Sequence, residues 1–287
     1  DEPSDLGVEI PLVAVCARAG AEVDRHVGDE HETRGIREGD GEGSGGGLDG
    51  DDGEGDGDRI LGSDGGVERL GREEQFAEVA ATIRNNGARH PEACHYGKFV
   101  TPEDVLNSRM IAEPFRLLDC AMTSEGGAAL VLTSADRARD LDVQPIYLLG
   151  GGTDKQGMAY IAAPVWDKYG HVGKRAAEQT FSQAGLAPQD VDVLEIYDPF
   201  SFEIIRQLEV FGFCGEGEGG DFVMDGHVRM DGRFPMVTNG GVMSFSHAGL
   251  VQLIQKPISA VQQLRGEYPE ELTVKNAKVA LTSNGGS

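Results

Sequence analysis

Two short polar turns carry the residues best suited to chemistry: Tyr197-Asp198-Pro199-Phe200, and Asn239-Gly240-Gly241 with Ser246-His247 just beyond it. A phenol, with an ordinary pKa of about 10, can donate a hydrogen bond or shuttle a proton. An imidazole can give or take a proton near neutral pH. Each residue also has an ordinary structural reading. The Tyr197 hydroxyl can be satisfied by backbone within a packed core, and His247 can be a capping or buried ring. Asp198, directly before Pro199, reads first as a helix N-cap and only second as a catalytic carboxylate. Gly240 and Gly241 read as backbone devices, supplying positive φ or close approach to a ligand.

The elements that must position these turns are legible around them. Residues 191–198 (VDVLEIYD) form a short apolar strand ending in polar residues. A helix is expected from Pro199 onward, with Phe202, Ile205, Leu208 and Phe211 on one face. Gly215-Glu216-Gly217-Glu218-Gly219-Gly220 is no nucleotide fingerprint, because it follows a helix and places carboxylates where phosphate would sit. After the second turn another helix follows, with Pro257 inside it and Arg265 near its negative end. Both turns thus lie at strand ends beside helix N-termini, where α/β proteins place their chemistry.

Upstream, Phe76, Val79, Ala80 and Ile83 make a helical stripe that predicts a helix to about Asn85. Thr101-Pro102-Glu103-Asp104 is a capped helix start. Residues 128–132 (AALVL) predict a buried strand, and Ser134 begins a short helix. A strand over 145–152, a helix over about 172–183 ended by Gly185, and a buried strand over 277–281 complete the pattern. Strands alternating with helices argue a layered α/β fold. Cys120 reads as a buried structural thiol rather than a nucleophile, having no neighbouring base in the sequence.

The motifs Tyr197-Asp198-Pro199-Phe200, Asn239-Gly240-Gly241-Val242-Met243-Ser244, Ser246-His247-Ala248 and Gln263-Leu264-Arg265-Gly266, in that order, resemble the thiolases. The resemblance is to the sterol-carrier-protein or lipid-transfer branch and covers roughly residues 75–287. It implies a thiolase-like layered fold, a mixed sheet covered by helices, and incomplete. Residues 75–141 would be the end of the N-terminal domain and 142–287 a truncated C-terminal domain, so the chain reads as a fragment at both ends.

The chemistry implied is ping-pong acyl transfer to a nucleophilic Cys, with a second Cys as acid/base and two oxyanion holes. The family's reactive Cys belongs to the half ahead of Gln75, and Cys16 (VAVCARAG) lacks its context. Tyr197-Asp198 matches the family's Asn-Glu loop, which helps hold an oxyanion water. His247 matches the Gly-His-Pro loop, where its N–H could donate to a thioester oxygen. Ser283-Asn284-Gly285 matches the Cys-x-Gly loop, so Ser283 replaces the second Cys and cannot match a thiol as acid/base at neutral pH. The catalytic candidates are therefore His247, Tyr197 and Ser283, supported by Asp198, Asn239, Gly240, Gly241 and Asn284.

A tyrosine at this turn also resembles the steroid-side-chain aldolases of the same branch. Those carry a second Tyr before the His, where this sequence has Phe245 and Ser246. The resemblance implies an acyl-CoA acyltransferase or lipid-transfer-type enzyme; alternatively, a retro-aldolase subunit cleaving a β-hydroxyacyl-CoA with an OB-fold partner; or, in a different class, a non-catalytic remnant. It implies a CoA thioester as substrate with no separate cofactor or metal, a homodimer, and a cytoplasmic setting.

The first 74 residues are different in kind. They hold 22 Asp/Glu against 7 Arg and no Lys, and no Phe, Tyr, Trp, Met or Asn. Residues 39–58 are almost entirely Gly and Asp. Such a stretch cannot bury enough apolar surface to offset its ordering entropy, so 1–74 is expected to be an acidic, disordered segment. A calcium loop is the tempting alternative for Asp49-Gly50-Asp51-Asp52-Gly53-Glu54, but it lacks the terminal Glu, flanking helices and nonapeptide repeat that such sites need. The bias toward residues with GC-rich codons also fits a mistranslated frame, which the other reading frames of the underlying DNA would test. PLVAVCARAG is too short, and lacks the basic flank, for a signal peptide. A net charge of −24 and no basic cluster argue against nucleic acid. No apolar run approaches the ~18 residues of a membrane span. Four cysteines without paired spacing fit a reducing compartment.

Overall fold

The computed structural model describes residues 12–19, 71–154 and 172–284. β1 (Leu12–Ala19) is followed by α1 (Glu73–Arg89), α2 (Pro102–Leu106), a hairpin of β2 (Met110–Ala112) and β3 (Phe115–Arg116), and α3 (Ala135–Arg139). Then come β4 (Ile146–Asp154), α4 (Lys174–Ala184), β5 (Val193–Glu195), α5 (Ser201–Val210) and α6 (Gly219–Met224). A π-helical turn (Gly241–Phe245), α7 (Gln252–Arg265) and β6 (Val279–Asn284) complete the order.

One mixed sheet runs β4-β1-β6-β5, with β1 antiparallel to both neighbours and β5 parallel to β6. Side-chain alternation divides β5 and β6 between two faces. Leu194, Val279 and Leu281 enter the larger core with Phe76, Val79 and Ile83 of α1, Phe181 of α4, and Ile204 and Leu208 of α5. Val193 and Ala280 meet Ala260 and Leu264 of α7 on the other face. The result is the expected mixed sheet between helices.

Several local expectations hold and several do not. The α1 stripe is fully buried, and Thr101 caps α2 by accepting the Asp104 N–H at 3.1 Å. α1 continues past Asn85, however, through Asn-Asn-Gly residues of poor helix propensity. Tertiary contacts compensate: the Asn86 amide donates to the Met236 carbonyl at 3.1 Å, and Gly87 lies against Gly240 and Ser244. β1 is a correction to the expectation of an unstructured 1–74. Its backbone pairs with both β4 and β6, and an average over 74 residues rich in Asp, Glu and Gly conceals this one apolar run. The Gly/Asp-rich residues 39–58, with the calcium alternative, lie outside the described residues.

The strand expected at 128–132 is absent. These residues form no strand, and Val131 and Leu132 are 90% and 78% exposed. An apolar run signals a buried strand only if neighbouring strands exist to pair with it. Val131→Lys should therefore leave the urea unfolding free energy within about 0.5 kcal/mol of the unaltered chain. A loss above about 2 kcal/mol would mean the run is covered.

Candidate functional site

The first turn leaves β5 at Glu195 and enters α5 at Ser201, with Phe200 at the N-cap position. Asp198 does not cap this helix, contrary to its sequence reading. Its carboxylate instead reaches across to the second turn, where Oδ1 accepts the Val242 N–H and Oδ2 the Met243 N–H, both at 3.1 Å. The first N–H groups of the π-helical turn have no intrahelical partners, so a carboxylate there meets the same need as a cap. Lys256 of α7 donates to Asp198 Oδ1 at 2.5 Å, and neither side chain is exposed at all.

Asn239, Gly240 and Gly241 shape the receiving turn. Asn239 Oδ1 accepts the Gly241 N–H at 2.8 Å. Gly240 and Gly241 have φ of +97° and +52°, conformations that disfavour a Cβ. A Cβ on Gly240 would stand 2.4 Å from the Gly87 Cα, and one on Gly241 would stand 2.4 Å from both Asp198 carboxylate oxygens.

Residues 120–124 stitch the two turns together. Ala121 N–H donates to the Pro199 carbonyl at 2.8 Å and Met122 N–H to the Val242 carbonyl at 3.1 Å. Ser124 N–H donates to the His247 carbonyl at 3.0 Å, and His247 N–H returns to Ser124 Oγ at 2.8 Å. The His247 ring is fixed by Nδ1, 2.7 Å from the Met122 carbonyl oxygen. A carbonyl can only accept, so Nδ1 carries the proton. In the neutral ring Nε2 is then a lone-pair base. It becomes an N–H donor only in the imidazolium, so the oxyanion role expected from sequence requires the charged ring.

Ser283 sits at the same junction by a different route. Its hydroxyl accepts the Tyr197 N–H at 2.9 Å and donates to Gln207 Oε1. Gln207 Nε2 in turn donates to the Tyr197 carbonyl at 2.7 Å. Tyr197 is buried, and Asn284 is buried at the end of β6, opposite Val13.

Behind the second turn lies Glu195, fully buried, whose Oε1 accepts the Thr238 N–H at 3.0 Å and the Thr238 hydroxyl at 2.5 Å. Burial pushes its carboxyl up from the usual range, only partly offset by the Lys256 charge and the Thr238 bonds. The folded chain therefore holds a proton that the unfolded chain releases, so this group's stabilisation is complete at low pH. It falls as pH rises from the unfolded glutamate value to the folded one. Glu195→Gln should remove that slope. Urea midpoints measured from pH 4 to 8 should show the variant gaining on the unaltered chain as pH rises, by up to about tenfold in folding equilibrium per pH unit within that window.

Sequence reasoning missed Lys256, Met122 and Ser124. For Lys256 a signal existed: it shares a helical stripe with Ala260 and Leu264, both of which are buried.

Residues 167–287 match the family model described as Thiolase C-terminal domain-like. This matched part of the chain belongs to the thiolase superfamily. It is 40% identical over 195 residues to the 17-hydroxy-3-oxo-4-pregnene-20-carboxyl-CoA lyase of Mycobacterium tuberculosis, covering 67% of this chain and 50% of that protein. It is 36% identical over 221 residues to the acetyl-CoA acetyltransferase of Methanothermobacter thermautotrophicus, covering 74% and 55%. Among solved structures it is similar to the Ltp2-ChsH2(DUF35) aldolase, with a TM-score of 0.62 and 31% identity over 76% of this chain and 57% of that one. The chain thus spans about half the length of the curated relatives it matches.

Among the described residues, no cysteine sulfur is hydrogen-bonded to His247. Cys120 Sγ donates to the Arg116 carbonyl, and burial followed by the Asp119 charge pushes its thiol up. Burial, with Glu209 and Glu218 nearby, pushes the Cys214 thiol up to about 12. Neither thiol is poised as a thiolate at neutral pH. Also among the described residues, no group of three His, Cys, Asp or Glu side chains is placed to hold a metal. No helix there is long and apolar enough to cross a membrane.

Proposed function

We propose that this chain contributes the imidazole-and-phenol side of an acyl-CoA site, and that the reaction is retro-aldol cleavage of a β-hydroxyacyl-CoA. The observation that carries this is the hydrogen bond from His247 Nδ1 to the Met122 carbonyl, which leaves Nε2 as a fixed base. In the proposed step Nε2 takes the proton of the β-hydroxyl. The oxygen electrons form the new carbonyl, and the Cα–Cβ bond breaks with its electron pair passing to the thioester as an enolate. Proton delivery to the α-carbon, the role proposed for the Tyr197 phenol, yields the shortened acyl-CoA and a separate ketone or aldehyde. Ser283 acts as a hydrogen-bonded support for the Tyr197 turn rather than as an acid, and Asn239, Gly240, Gly241 and Asn284 as its frame.

The lyase and aldolase relatives support this reading, and so does the burial that pushes the Cys120 and Cys214 thiols up. Acyl transfer is the second reading, favoured by the 36% identity to an acetyltransferase. A homodimer, an OB-fold partner subunit, a cytoplasmic setting and the absence of any cofactor beyond the CoA thioester belong to the proposal.

The test is release of a carbonyl product from a β-hydroxyacyl-CoA by the full chain, alone and with the partner subunit. Turnover should be insensitive to iodoacetamide, and His247→Gln should lower kcat/KM by about 10²- to 10⁴-fold. Alkylation-sensitive transfer of an acyl group to CoA would overturn the aldol reading in favour of acyl transfer. No turnover of either kind, with the partner present, would overturn both.

A further inference from the structure

We propose that Lys256 is a positioning residue for His247, acting through the Asp198 carboxylate and the Gly241–Phe245 turn. The proposal deepens the reading of His247 as the base and rests on it. Among the described residues Lys256 is the only buried lysine, with no exposed surface at all. Burying an ammonium costs several kcal/mol unless it is paired, and a paired one seldom stabilises a fold more than apolar residues of the same volume. A charge in this place therefore needs a reason other than stability.

The geometry supplies one. Two buried side-chain carboxyl groups hold the same stretch of backbone. Glu195 takes the Thr238 N–H, and Asp198 takes the Val242 and Met243 N–H groups. Lys256 donates directly to Asp198, and its charge also reaches Glu195. Residues 238–243 are thus held at three N–H groups by two acids that face one cation.

The held turn carries the carbonyl of Val242, which accepts the Met122 N–H at 3.1 Å. Met122 in turn offers the carbonyl that orients the His247 ring, and His247 lies two residues beyond the end of the turn. The path from Lys256 to the imidazole consists of hydrogen bonds with stated partners at each step. A loose Asp198 would let the turn rotate, move Met122 with it, and free the ring to exchange tautomers. Beside this cluster Ser259 and Tyr268 are bonded to each other at 2.6 Å, and Gln263 donates to Thr238 at 2.7 Å.

The experiment is proton exchange at His247 Nδ1, followed by NMR on the ¹⁵N-labelled full chain. The variant is Asp198→Asn combined with Lys256→Met, which removes both members of the buried ion pair together. The expected result is a folded protein in which the Nδ1 proton exchanges at least tenfold faster. If the enzyme turns over, kcat should fall while KM changes little. Unchanged Nδ1 exchange in the folded double variant would overturn the proposal.

Should that variant fail to fold, the unaltered chain serves. In increasing urea the Val242 and Met243 amide protons and the His247 Nδ1 proton should exchange through one shared opening. Separate openings would overturn the linkage. Neither readout requires catalysis. Native exchange behaviour with no turnover would count against the proposed reaction alone, and altered behaviour would bear on Lys256 whatever the reaction proves to be.

Discussion

Gly241→Ala should destabilise the chain by about 2–4 kcal/mol, measured as a fall in the urea midpoint at constant slope. Two independent penalties act at this residue. Its φ of +52° lies where an alanine is strained, a cost of about 1 kcal/mol or more. The added methyl would also stand 2.4 Å from Asp198 Oδ1 and Oδ2 and 2.4 Å from Val237 Cγ1. Val237 and Asp198 are both fully buried, so neither can swing into solvent. Relief requires the carboxylate to back away from the Val242 and Met243 N–H groups, or the turn to lift off it. Either motion also loosens the Met122 contact that fixes His247. A loss below about 0.5 kcal/mol would mean that the two turns are not in the register described.

Lys256→Met should cost about 3–5 kcal/mol, because it removes the one cation hydrogen-bonded to the buried Asp198 carboxylate and leaves only the field of Arg84. The two N–H donors from Val242 and Met243 soften that penalty without removing it. Adding Asp198→Asn should recover a large part of the loss, since the remaining pair is neutral and an amide oxygen still accepts one N–H. A double-mutant cycle from urea midpoints reads the coupling directly. Additive losses would mean that the ammonium and the carboxylate do not interact in the folded chain.

The difference between the readings of Asp198 shows where sequence reasoning stops. An Asp-Pro pair ahead of an amphipathic segment is a sound cap signal, yet the carboxylate serves N–H groups 44 residues downstream. Local and distant free N–H groups attract a carboxylate equally, and only the fold decides which are nearer. The turns themselves were legible because their constraint is local: Asn239 bonds its own backbone two residues on, and the two glycines that follow take positive φ. Helical stripes were legible for the same reason, as at Phe76, Val79 and Ile83. What the sequence did not carry was partnership across the chain. Met122 and Ser124 contribute a carbonyl and a hydroxyl to His247, and a backbone carbonyl has no signature in any residue type. β1 was hidden by its acidic surroundings, and the length of α1 was decided by contacts with Gly240 rather than by propensity.

The uncovered run at 128–132 has a practical consequence for anyone handling the protein. Five consecutive apolar residues with no proline and no charge combine the features that favour cross-β stacking between chains. Concentrated samples of the chain will be governed by that segment more than by the strength of the sheet. A charged residue near its middle is the simplest remedy for colloidal loss.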